Sequence, residues 1–171
     1  MNVYRVGYRI YAANPLDGEG SFLFGGRWSS VGTRMAYTST TLSLAMAEFL
    51  AHVNVDDFDP DTAPALFYMT AIIPDESVRT LEQIGVDLPE SWSAVPAPAS
   101  DAVVGDDWLR SGVSLALIVP SVHLPIATPE RNILIDPTHR DFERVSWTLD
   151  EFTFDRRLVR ARVEAERRKT P

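Results

Sequence analysis

The chain has 171 residues, 45% of them hydrophobic, a net charge of -8 and no cysteine. Such a length fits one globular domain with a sizeable core, and such a composition excludes a disordered or fibrous chain. Without cysteine there are no disulfides or thiolate metal sites, and the negative charge argues against nonspecific binding to a phosphate backbone.

NVYRVGYRI alternates with period two, placing Tyr4, Val6, Tyr8 and Ile10 on one face and Val3, Arg5, Gly7 and Arg9 on the other; this predicts a first strand. Arg5 and Arg9 also interrupt the apolar core that an export signal needs, so a cytoplasmic protein is expected. From Asn14 to Gly26 the chain is rich in Gly, Pro and Asp and reads as a loop running into GGRW. RMAYTS reads as a short strand. Ser39, Thr40 and Thr41 are candidate N-caps for a helix from about Thr41 to Val53.

ALFYMTAIIP predicts another strand, closed by Pro74, and residues 84–105, with Pro89, Pro96 and Pro98, suit a long surface excursion. GDDWLRSG could form one or two helical turns ahead of the strands SLALIVPS and RNILIDP. The apolar run VSLALIVPSVHLPIAT is broken by Pro120 and Pro125 and falls short of the roughly 20 residues of a membrane span. SWTLDEFTF reads as a last strand. Four Asp gather in VDDFDPD at 55–61 and seven Arg and Lys between Arg156 and Lys169, each run being either a solvated face or a docking surface. Strands outnumber helices without alternating with them, so the expected fold is α+β: a mixed or antiparallel β core with a few short helices. It is a single domain over 1–171, with a core over about 1–155 and a basic tail over 156–171.

Within TLSLAMAEFLAHV at 41–53, Glu48 is the one formal charge. On a helical wheel Leu42, Ala45, Met46, Phe49, Leu50 and Val53 form an apolar stripe, and Glu48 lies off it beside His52 and Leu44. Its helical neighbours Leu44, Ala45 and Ala51 cannot offset a charge. Glu48 either marks a solvent edge with His52 or presents a carboxylate into a cleft, where it could stabilise a cationic transition state or hold a sugar hydroxyl. In the second case its own helix offers no cation except His52, so compensation has to come from Arg5, from Arg27 or from bound hydroxyls.

GGRW offers two glycines that would let an anion approach the backbone and an Arg27 fork suited to phosphate, but it matches neither G-x-x-x-x-G-K-[ST] nor G-x-G-x-x-G. A tight turn with a surface arginine is the alternative. Tyr37 is either core or an aromatic face for a ligand. Ser121 lacks a G-x-S-x-G elbow. His52, His123 and His139 show no ligand spacing, so no metal is expected.

Taken together, GGRWSSVGTRMAYTSTTLSLAMAEFLAH, GDDWLRSG, LIVPS and RNILIDPTHRDF resemble the RES domain, a family named for an Arg, a Glu and a Ser. The likeness runs from YRV to about Phe142. It implies a fold like that of ADP-ribosyltransferases and a toxin of a toxin–antitoxin pair, whose Xre-type helix-turn-helix antitoxin blocks the active site. The implied reaction is destruction of NAD+ at the nicotinamide–ribose bond, with water or inorganic phosphate as acceptor; some relatives pass the ADP-ribose to a protein instead. NAD+ is thus expected as substrate, with no bound cofactor, no direct nucleic-acid contact and no membrane. Pairing with a second copy as a homodimer is left open.

By position, the resemblance assigns the family's strand arginine to Arg5, the GGRW arginine to Arg27, the aromatic residue to Tyr37, the glutamate to Glu48 and the serine after VP to Ser121. Two arginines would hold the diphosphate, Tyr37 would pack on nicotinamide or its ribose, Glu48 would stabilise charge at the anomeric carbon, and Ser121 would position the ligand. Many members carry Asn after GGRW, where this chain has Ser29.

Overall fold

A computed structural model describes residues 1–53 and 65–155. The acidic run and the basic tail singled out in the sequence lie outside them.

Among the described residues, seven strands form one sheet in the order β4-β5-β6-β2-β1-β3-β7. They are β1 (Asn2–Tyr8), β2 (Ala36–Ser39), β3 (Leu66–Ile72), β4 (Val78–Thr80), β5 (Ala116–Val119), β6 (Asn132–Ile135) and β7 (Ser146–Phe152). All neighbours are antiparallel except β4 and β5, so the sheet is mixed and the domain is α+β. Three α-helices of the described residues accompany it: α1 (Glu19–Phe24), α2 (Leu42–His52) and α3 (Ala99–Ser111). Among the described residues no helix is long and apolar enough to cross a membrane.

The two-residue period of β5 and β6 divides their side chains between two apolar clusters. Ala116, Ile133 and Ile135 join Val3, Leu16, Phe67 and Met69 in one, while Leu117, Val119 and Leu134 join Trp28, Met35, Trp92 and Trp108 in the other. Both sides of the middle of the sheet are therefore covered.

That arrangement corrects the reading of β1. Val3 and Val6, on opposite faces, are both buried, whereas Ile10, expected to continue the apolar face, is exposed beyond the strand end in a single 3-10 turn. β1 runs in the interior of the sheet, and an interior strand with both faces covered has no solvent side to mark with charge.

Two further differences concern helices. The Gly-rich segment expected as loop contains α1, held by the Ser21 hydroxyl, which donates to the Thr33 carbonyl and accepts from the Met35 amide. α3 begins at Ala99, inside the stretch expected as a surface excursion, and it buries Asp101, Gly105 and Trp108. Trp92 in the preceding segment is also buried. These proline-rich residues serve as part of a core wall.

α2 starts where the sequence placed it. Thr41 is its N-cap, accepting from the Leu44 amide at 3.1 Å. The buried side is rotated from the expected stripe: Leu44 and Ala45 are its buried residues, while Phe49 packs edge-on against Tyr8 at 5.3 Å. Because Leu44 faces inward, its neighbour one turn on, Glu48, lies at the margin of the buried face.

Candidate active site

Three strand ends bring the site together. Ser39 closes β2 and pairs with Asn132, the first residue of β6, which also pairs with Val119, the last residue of β5. Ser121 follows two residues past that end. The β2–β6 ladder extends one step further, through the Thr40 amide to the Arg131 carbonyl and the Arg131 amide to the Thr40 hydroxyl. α2 then leaves directly from β2, which carries Glu48 over the same end of the sheet.

Glu48 is half-buried there. Its Oε1 accepts from Ser121 Oγ at 2.7 Å and from Asn132 Nδ2 at 2.5 Å, and its Oε2 lies 3.3 Å from His123 Nε2. Ser39 Oγ donates to Asn132 Oδ1 at 2.9 Å, which fixes the amide so that its Nδ2 points at Glu48. Ser121 Oγ in turn accepts from the His123 amide. The carboxylate is thus gripped at one oxygen by two neutral donors. The arginine compensation expected from the sequence is replaced, among the described residues, by this hydroxyl, this amide and a histidine.

The fold brings Glu48 and Ser121 into contact across 73 residues. It adds Asn132 and His123, which the sequence reading did not single out as site residues. His123 sits two residues from Ser121 and could have been found from that spacing, whereas Asn132 carries no linear signal. His139 lies elsewhere, its Nδ1 accepting from the Asp141 amide.

Arg27 occupies a second setting. Its guanidinium donates to the carbonyls of Trp92 and Ala94 and pairs with Asp101 at 3.0 Å. Asp101 is 1% exposed at its side chain, and its Oδ1 is buried with no hydrogen-bond partner. Arg27 therefore ties the start of α3 and the segment before it to the GGRW turn.

The glycines of that turn serve the protein's own contacts. Gly25 has φ of 70° and closes α1, its amide donating to the Ser21 carbonyl. A Cβ on Gly26 would meet the Tyr37 hydroxyl at 2.5 Å, so the room expected for an anion is taken by that phenol. Tyr37 Oη accepts from the Trp28 amide at 3.1 Å and shares a hydrogen bond with Ser29 Oγ at 2.9 Å. Burial pushes the Tyr37 phenol up to about 12, against the opposing effect of these two hydrogen bonds. Ser29, where many RES proteins carry Asn, is buried and holds this tyrosine.

Arg5 pairs across the sheet with Met69, on the row shared by buried Val3 and Ala71. Burial lowers its guanidinium pKa, and Asp17 acts in the opposite direction. Among the described residues the Arg5 guanidinium makes no hydrogen bond or ion pair, so its fork is uncommitted.

A desolvated carboxylate held by neutral donors can stabilise developing positive charge, and a desolvated guanidinium can take a phosphate. The RES domain model matches residues 2–157. The protein "Toxin Res" of Yersinia enterocolitica is 34% identical over 160 residues, covering 92% of this chain and 99% of that protein. A "Prs ADP-ribosylating toxin" of a Sphingobium species is 32% identical over 155 residues, covering 89% of this chain and 91% of its own. In fold, the chain resembles one in the crystal structure of the M. tuberculosis MbcT-MbcA toxin-antitoxin complex, with a TM-score of 0.69 at 16% identity, over 95% of this chain and 88% of that one.

Proposed function

The chain belongs to the RES domain family, and on that premise we propose that it is the toxin of a toxin–antitoxin pair that destroys NAD+ at the nicotinamide–ribose bond. The observation that carries the reading is Glu48: a half-buried carboxylate with one oxygen fixed by Ser121 and Asn132 and no arginine or lysine ion pair among the described residues.

In the proposed reaction the bond between the ribose anomeric carbon and the pyridinium nitrogen breaks, and its electron pair leaves with nicotinamide. Positive charge then develops on the sugar ring. Glu48 faces that charge, and because its partners at Oε1 are neutral they orient the carboxylate without cancelling it. Nicotinamide departs as a neutral molecule, so no strong general acid is needed. The acceptor oxygen, from water or inorganic phosphate, bonds to the anomeric carbon and gives up its proton to solvent.

For the diphosphate, Arg27, on the side of the sheet that carries Tyr37 and Asn132, has to share its guanidinium with Asp101, while the uncommitted fork of Arg5 starts from the opposite face, in the row of Val3. Tyr37, neutral at working pH, offers its ring to nicotinamide or ribose while its hydroxyl holds the GGRW turn.

Incubation of the purified protein with NAD+ in phosphate-free buffer tests the reading. Nicotinamide with ADP-ribose is expected, and added phosphate shows whether the phosphorylated sugar replaces it. A second reading, transfer of ADP-ribose to a protein, is favoured by the name of the Sphingobium relative; nicotinamide release only when a target protein is added supports it and overturns the first. For the partner, the likeness to a chain in a toxin–antitoxin complex supports an antitoxin, which we place in the Xre helix-turn-helix class. A small helix-turn-helix protein that co-purifies with this chain and suppresses nicotinamide release is the expected result.

A further inference from the structure

We propose that Glu48, His52 and His123 form an inhibitory site for one divalent transition-metal ion of the zinc class. The histidines are 71 positions apart in the chain, yet one potential ligand atom from each of the three residues lies within 4.8 Å of the others. Glu48 Oε2 and His123 Nε2 are 3.3 Å apart, which matches the edge of a tetrahedron with metal–ligand bonds of about 2.0–2.1 Å. The two imidazole rings meet edge-on, with centroids 6.3 Å apart, so each can aim a nitrogen at a common point.

The surroundings fit this use. Ser121 and Asn132 hold Oε1, which leaves Oε2 as the ligating oxygen and fixes its direction, as outer partners do in metal sites. Two imidazoles and one carboxylate suit zinc, cobalt or nickel over magnesium or calcium. His52 and His123 are exposed, giving the ion a route from solvent. Three protein ligands leave a coordination position for water.

Binding itself needs nothing from the NAD+ reading; the inhibitory consequence rests on it. A divalent ion on Oε2 turns a negative locus positive, and that opposes both the pyridinium of NAD+ and charge developing on its ribose.

The test is calorimetric titration of Zn2+ into the untagged, full-length protein. One ion per chain is expected, with His52→Ala and His123→Ala each weakening binding by more than the roughly 100-fold that loss of an outer partner alone can cost. His139→Ala should bind as the parent does. In parallel, Zn2+ should suppress NAD+ cleavage reversibly, and His52→Ala should keep its metal-free activity while losing sensitivity. Binding by the parent no tighter than by the His52→Ala/His123→Ala double variant overturns the site. Tight, histidine-dependent binding by a protein that never cleaves NAD+ upholds the metal site and overturns the proposed function instead.

Discussion

Glu48 and Asp101 are both carboxylates carried on helices beside the same sheet, and they have opposite partners. Asp101 is fully enclosed and matched with the Arg27 guanidinium, so its charge is spent inside the protein. Glu48 is half-buried and gripped at Oε1 by a hydroxyl and an amide, which orient it without cancelling its charge, and its Oε2 faces the His123 imidazole. A carboxylate becomes useful to a cationic substrate when the protein supplies direction without supplying a countercharge. The ion pair, by contrast, holds two segments together.

The largest stability effect should separate the two. Arg27→Ala strands Asp101 in a dry setting, and urea unfolding should show a loss of about 3 kcal/mol, near the lower end for a broken buried pair because Arg27 keeps some exposure. Replacing both partners by apolar residues should recover much of that loss. A similar loss from Glu48→Gln would erase the distinction.

Tyr37 sharpens the comparison from the side of the GGRW turn. Its folded pKa, raised to about 12 from 10.0, lies above the unfolded value, so its contribution is complete below pH 10 and lost as pH rises toward 12. Parent protein should lose roughly 2 kcal/mol across that window by this route. Tyr37→Phe should show a correspondingly flatter profile in the same denaturation series.

Asn132→Ala removes one of the two donors that aim Glu48. Nicotinamide release should fall about 10-fold with the melting temperature little changed, the scale expected for an orienting partner. An unchanged rate would place the direction of Glu48 under the control of Ser121 alone.

The smallest effect belongs to an exposed pair. The Arg144 guanidinium holds the Glu76 carboxyl below its ordinary range, so Glu76→Gln should cost slightly near neutral pH. The difference from parent should vanish as pH falls through that carboxyl's range, or as salt rises.

Local rules exposed much of this molecule in its sequence. Period-two alternation marked β1, the runs ALFYMTAIIP and SWTLDEFTF marked β3 and β7, and the Thr41 cap with a largely apolar run marked α2. α1 escaped because its six residues lie between Gly18 and Gly25, both at positive φ, and depend on Ser21 bonding across to Thr33 and Met35. The first turns of α3 escaped because Pro, Ala and Ser read as loop, and they are helical through the burial of Asp101, Gly105 and Trp108.

Within the site, sequence singled out Glu48 and Ser121 and left their contact unstated. Asn132 was invisible, since a polar residue opening a strand is ordinary until the β2–β6 register sets it opposite Ser39 and beneath α2. The arginines show the same limit. The family resemblance implied one job for Arg5 and Arg27, whereas only the fold reveals that Arg27 is tied to Asp101 and Arg5 is uncommitted among the described residues.

The most direct measurement compares nicotinamide release from NAD+ by the parent and by Glu48→Gln, with thermal melts of the same two samples. The substitution keeps the side chain's shape and one acceptor for Ser121 and Asn132, turns the other oxygen into an NH2 donor and removes the charge, so release should fall about a thousandfold while the melting temperature stays within a few degrees. Undiminished release by a folded Glu48→Gln protein would contradict the account at its centre.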